Sequence, residues 1–177
     1  MAGGNFKIST GHIDSKFGIS IHQMRHIERI INSTKLKVTG LHMHTGSEIK
    51  DVDVFLRGVE VMFEMVQHFP DLESIDLGSG FKVAYQQGDP ETDIDQLGKK
   101  LGETFNNFAK SYARPLQLWF EPGKFLVSQA GYFVVKANVI NQTTANEFVG
   151  VNSGFNHLIR PMFYEAFHLI RNISNPK

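Results

Sequence analysis

Apolar positions recur along the chain at two alternating periods, and the alternation predicts the elements. From Ser20 to Asn32 the residues Ile21, Met24, Ile27 and Ile31 fall at steps of three and four, and Ser20 with Gln23 has the form of a capping box, so this segment reads as a helix. Leu36-Lys37-Val38 to Leu41 reads as a strand running into His42-Met43-His44. Phe55, Val59, Met62, Val66 and Phe69 form one helical stripe, closed by Pro70. Ser74-Ile75-Asp76-Leu77 is a short strand ending at Gly78. Ile94, Leu97, Leu101, Phe105, Phe108 and Tyr112 make the next helix, with Thr92 and Asp95 as its expected capping box. Leu116, Leu118 and Phe120 then alternate with Gln117, Trp119 and Glu121, which is strand periodicity. Strands separated by helices imply a parallel sheet with crossover connections.

After Glu121 the pattern changes. Tyr132 to Ile140 is a nearly continuous apolar stretch and Phe148 to Val151 a short one, with no long helix between them. This predicts β structure in a second domain, and the division expected is 1–130 and 131–177. Arg160 to Ile173 has the makings of a C-terminal helix.

Composition narrows the function classes. Eighteen Lys and Arg balance 18 Asp and Glu, which gives no electrostatic reason to expect nucleic acid or an anionic membrane as a partner. No apolar run approaches the roughly 20 residues of a membrane span, and Met1-Ala2-Gly3-Gly4-Asn5 has no charged head and apolar core of a signal peptide. The expected location is the cytoplasm. Cysteine is absent, which removes disulfides, thiolate nucleophiles and Cys-ligated zinc. Fifteen Phe against one Trp and four Tyr point to a well-filled core.

The unusual residues cluster where parallel strands end, the edge at which barrels and open sheets bind ligands. His42-Met43-His44-Thr45-Gly46-Ser47 follows the first strand, Asp76-Leu77-Gly78-Ser79-Gly80-Phe81 ends the second, and Glu121-Pro122-Gly123-Lys124 ends the third. Each is ambiguous alone. His42-x-His44 has the form of a zinc-hydrolase arm but no obvious further ligands, so no metal is expected, and His42 is the one read as core-facing or hydrogen-bonded. Gly78-Ser79-Gly80 lacks the third glycine of a dinucleotide fingerprint and fits either a small anion cradle or a tight turn. Glu121 to Lys124 fits a solvated turn. Jointly, Ser47, the two glycine turns and Lys124 can converge on a phosphate, leaving Glu121 and His44 for a ring above it.

These residues carry a resemblance. Ile8-Ser9-Thr10-Gly11 with Lys16-Phe17-Gly18, Gly40 to Ser47, Asp76 to Phe81, Glu121 to Lys124, and Gly154-Phe155-Asn156-His157-Leu158-Ile159-Arg160-Pro161 running to Tyr164 together resemble the diaminopimelate decarboxylase family. These are pyridoxal-phosphate enzymes of the alanine-racemase-like barrel class. The resemblance covers the chain in order, and implies an α/β fold: the C-terminal part of a pyridoxal 5'-phosphate-binding (β/α)8 TIM-type barrel, followed by the start of a β-rich C-terminal domain.

The roles it implies are specific. His44 corresponds to the histidine stacked on the cofactor ring and Glu121 to the carboxylate paired with the pyridine nitrogen; these two are the catalytic candidates. Ser47, Gly78, Ser79, Gly80, Gly123 and Lys124 correspond to cofactor-binding positions, and Lys124, Arg160 and Tyr164 to substrate-binding ones. Lys124 stands where many relatives have Arg, and lacks the fork that Arg offers; Ser79 adds a Cβ where relatives commonly have glycine. A whole barrel takes about 250 residues, and the resemblance puts the Schiff-base lysine upstream of Met1, so the chain reads as an internal fragment, inactive alone. The expected activity is decarboxylation of meso-2,6-diaminopimelate to L-lysine in a homodimer. The alternatives are a decarboxylase of carboxynorspermidine, arginine or ornithine, or a non-catalytic chain.

Overall fold

The structure, a computed structural model, describes residues 15–112 and 114–175, so the Ile8–Gly11 motif lies outside the described residues. The chain divides into two compact units. The first runs through Val83 and resumes at Pro90–Ser128; the second comprises Ala84–Asp89 and the chain from Gln129 onward.

In the first unit a 3-10 turn, Ile21–Gln23, leads into α1 (Met24–Thr34), followed by β1 (Gly40–His42), α2 (Val52–Val66), β2 (Ser74–Asp76), α3 (Ile94–Tyr112), β3 (Gln117–Trp119) and the short α4 (Gly123–Val127). The three strands form one parallel sheet in the order β1-β2-β3, with Leu41, Ile75 and Leu118 in register and His42, Asp76 and Trp119 beside them. The alternation of strand and helix thus yields the crossover connections expected. The paired strands are shorter than their apolar runs: Leu36 to Val38 precede the first residue that finds a partner on β2.

The helices form for reasons visible in the sequence. Asp51 caps α2, its Oδ1 accepting from the N–H groups of Asp53 and Val54. Val52, Phe55, Val59, Phe63 and Val66 are buried on its inner stripe, in one core with Ile75 of the central strand, Leu77 just beyond it, and Leu97 and Leu101 of α3. Phe63 stacks on Phe108 with centroids 4.3 Å apart. Among the described residues every fully buried apolar side chain lies in this unit. No helix among them is long and apolar enough to cross a membrane.

Two capping expectations are corrected. The Ser20 hydroxyl accepts from His22 N–H within the 3-10 turn, and Gln23 makes no side-chain cap on α1. Thr92 does not cap α3; Asp93 does, accepting from Gln96 N–H at 2.8 Å. Thr92 is drawn away because its hydroxyl satisfies two buried backbone groups, accepting from Lys82 N–H at 2.7 Å and donating to Ile49 C=O.

In the second unit β4 (Ala137–Gln142) and β5 (Glu147–Val151) form an antiparallel hairpin. The ladder ends where Ala137 meets Val151, so the apolar run from Tyr132 begins before the strand does. The C-terminal helix is shorter than expected: α5 spans Arg160–Tyr164 and stops at Glu165, whose left-handed φ of 55° turns the chain out of the helix.

Candidate cofactor site

The carboxyl ends of the three parallel strands are stitched together by backbone hydrogen bonds running past the ladder. Met43 N–H donates to Asp76 C=O at 2.9 Å, Leu77 N–H to Trp119 C=O at 3.0 Å, Glu121 N–H to Gly78 C=O at 2.8 Å and Ile49 N–H to Gly80 C=O at 2.8 Å. Loops 43–49, 77–81 and 120–124 therefore occupy one edge in fixed mutual register. Asp76 Oδ1 accepts from Gly78 N–H at 2.8 Å and tightens the turn that follows it. Phe81, buried, anchors that loop from below, with Phe55 and Phe125 edge-on at 5.9 and 6.1 Å.

The glycines are required by close approach as well as by conformation. Gly78 has φ 62°, and a Cβ there would stand 2.6 Å from Met43 C=O and 2.9 Å from His44 Nδ1. Gly80 has φ 107°, and its Cβ would collide with Gly46 C=O. The glycine turn is thus pressed against the His44–Gly46 backbone, with the His44 imidazole beside Gly78. Between these glycines Ser79 is tolerated, because the close contacts fall on its neighbours.

Each site residue expected from the sequence can now be placed. His44, Ser47, Gly78, Ser79, Gly80, Glu121, Gly123 and Lys124 all lie on these three segments of the first unit, Gly123 and Lys124 as the first residues of α4. Arg160 and Tyr164 lie on α5 of the second. Arg160 sits with its guanidinium 4.7 Å from the Tyr85 ring centroid, and its Nη1 donates to His168 Nε2 at 3.5 Å. Among the described residues the Arg160 guanidinium meets no carboxylate.

Sequence reasoning missed three partners. His42 is hydrogen-bonded but exposed rather than core-facing; its Nε2–H donates to Glu121 Oε2 at 3.3 Å. A carboxylate only accepts, so this contact puts the proton on Nε2. Asp76 adjoins them, and ligand-type atoms of His42, Asp76 and Glu121 lie within 4.8 Å of one another; His44 is not in that group. Glu48 reaches Lys124, Oε1 to Nζ at 3.9 Å. The register of the strands could have suggested His42 beside Asp76, but nothing local announces Glu48.

The donor set fits a phosphorylated pyridine. Ser79 and Gly80 are buried, and among the described residues their backbone N–H groups donate to no protein acceptor. Buried N–H groups without acceptors are rare in folded proteins and suit an anion. A cation, Lys124, and a carboxylate, Glu121, stand on the adjoining loop. The residues present are those a phosphate monoester and a protonated ring nitrogen call for.

Comparison with known proteins agrees. Residues 2–128 match the family described as pyridoxal-dependent decarboxylase, pyridoxal binding domain. Diaminopimelate decarboxylase of Escherichia coli (strain K12) is 30% identical over 164 residues, covering 93% of this chain and 39% of that protein. The Campylobacter jejuni enzyme of the same name is 32% identical over 168 residues, covering 92% and 40%. A crystal structure of diaminopimelate decarboxylase superposes with a TM-score of 0.86 at 30% identity, over 97% of this chain and 41% of that one. The Methanocaldococcus jannaschii enzyme, solved in co-complex with L-lysine, gives 0.75 at 26% identity, over 92% and 39%. The chain thus spans 39–40% of the length of these two sequence relatives. It belongs to the pyridoxal-dependent decarboxylases, and most of it is their pyridoxal-binding domain.

Proposed function

We propose that the protein carrying this chain removes carbon dioxide from meso-2,6-diaminopimelate to give L-lysine, and that this chain supplies the phosphate and ring-nitrogen contacts of its pyridoxal phosphate. The observation that carries the reading is the convergence on one strand edge of two buried, acceptor-free N–H groups, a lysine and a glutamate. The names of its relatives support the choice of substrate. When bound, the cofactor supplies a protonated pyridine ring able to accept the electron pair that departing CO2 leaves behind.

The chain's own residues divide the remaining work. Glu121 holds the proton on the ring nitrogen by Coulomb attraction and a charge-assisted hydrogen bond. His42, bonded to the Glu121 carboxylate, restrains its orientation. His44, whose position is set by the bare Cα of Gly78, would hold the ring by its imidazole face. Ser47, Ser79 and Gly80 donate to the phosphate, and Gly123 lets the Lys124 loop approach as a counter-charge. Tyr164 contacts the substrate, and Arg160, which meets no carboxylate among the described residues, receives its distal carboxylate. The reading extends to a homodimer, which sedimentation tests, and to the cytoplasm, which cell fractionation tests.

The decisive experiment supplies the protein carrying this chain with pyridoxal phosphate and carboxyl-labelled meso-diaminopimelate, ornithine, arginine or carboxynorspermidine. Labelled CO2 and stoichiometric L-lysine from diaminopimelate alone are expected. Turnover of one of the other amino acids in preference overturns the substrate assignment, and turnover of none overturns the activity.

A further inference from the structure

Glu48 is an anion on the loop bound to the turn read as a phosphate cradle, within reach of the cation read as its counter-charge. It follows the Gly46-Ser47 turn and takes φ 65°, a left-handed conformation that a side chain with a Cβ adopts at a cost. Its neighbour Ile49 is pinned on both sides, N–H to Gly80 C=O at 2.8 Å and C=O to the Thr92 hydroxyl. The backbone at Glu48 therefore has little freedom to relax. The carboxylate it projects is only 23% exposed and lies 3.9 Å from Lys124 Nζ, whose side chain is 40% exposed. The same loop is bound to the 78–81 turn that presents the Ser79 and Gly80 N–H groups.

We propose that Glu48 is an affinity-setting residue of the phosphate cradle: a built-in carboxylate that shares the Lys124 ammonium with an incoming phosphate and opposes it by like charge. This rests on reading the two loops as a phosphate site. A carboxylate in partly desolvated surroundings repels a phosphate dianion over several ångströms. Lysine, a point charge without a fixed fork, divides its attraction between two anions rather than binding both in directed geometry. The cradle thus holds phosphate less tightly than its N–H groups and cation would by themselves, which keeps the cofactor exchangeable.

The test uses cofactor-free protein, wild type and Glu48→Gln, titrated with inorganic phosphate, with pyridoxal phosphate and with pyridoxal, which has no phosphate. Binding is followed by ring fluorescence and phosphorus resonance. Glu48→Gln keeps the shape and removes the charge, so it should tighten both phosphate ligands by about three- to tenfold and leave pyridoxal within about twofold. The gain should shrink as ionic strength rises from about 0.01 to 1 M, because salt screens a charge effect and not a change of shape. Circular dichroism of both proteins checks that the fold is kept, and Glu48→Asn provides a second neutral side chain at a left-handed position. Unchanged or weaker phosphate affinity in both variants, with the wild type still preferring pyridoxal phosphate to pyridoxal, overturns the inference alone. A wild type that does not distinguish those two ligands overturns the phosphate reading, and this inference with it.

Discussion

The Nε2–H of His42 donates to Glu121 Oε2 at 3.3 Å across the end of the central strand, joining residues 79 positions apart in sequence. Both are exposed, so the pair contributes little to stability; the role proposed for it is to aim the carboxylate. On the proposed role of Glu121 as the carboxylate facing the ring nitrogen, replacing it with Gln removes that charge and should lower kcat by about 10²–10³-fold, with cofactor affinity largely kept. His42→Ala should lower kcat about three- to tenfold. His42→Gln, which keeps a donor, should restore most of it, and neither should add to the defect of Glu121→Gln, because the two act as a unit. Steady-state kinetics of the single and double variants decide the matter; additive losses would make His42 independent of Glu121.

Gly78→Ala should destabilise the fold by about 1–3 kcal/mol, since alanine must adopt a positive φ while its Cβ meets Met43 C=O at 2.6 Å. Gly123→Ala is the control: no atom lies within 4 Å of the place its Cβ would take, and the change should stay within about 0.5 kcal/mol. Urea midpoints at constant slope measure both.

The Thr92 hydroxyl should be worth more than its place in the sequence suggests. Thr92→Val leaves Lys82 N–H and Ile49 C=O buried without their partner, for a loss of about 1–3 kcal/mol. Thr92→Ser should recover most of it. Faster hydrogen exchange at the Lys82 amide in the valine variant alone would locate the effect.

Arg160→Ala should raise KM for meso-diaminopimelate strongly while hardly touching weak activity on an analogue without the distal carboxylate. Removing one partner of such a charged pair costs about 2–5 kcal/mol. Equal losses on both substrates would show that Arg160 serves the packing against Tyr85 and His168 instead.

Much of this was legible in the order of residues. Phe55, Val59 and Val66 face inward because a 3.6-residue period leaves them one stripe to bury, with Phe63 rather than Met62 completing it, and Ile75 is fully buried because it faces the helices that the crossovers lay against the sheet, while Ser74 and Asp76 on the other face are only half-buried. Strand–helix alternation also forces all three polar loops to one edge, since parallel strands end on the same side. Which side chains then meet is a different kind of information. His42 with Glu121, Thr92 with Ile49 and Glu48 with Lys124 are joined across loops by the register of the ladder and the close approach at Gly78 and Gly80. No local period encodes such a pairing. Thr92 shows the consequence: locally it has the credentials of a helix cap, but two buried backbone groups, at Lys82 ten residues before it and at Ile49 on a loop 43 residues away, compete for its hydroxyl, and desolvation makes their claim the stronger.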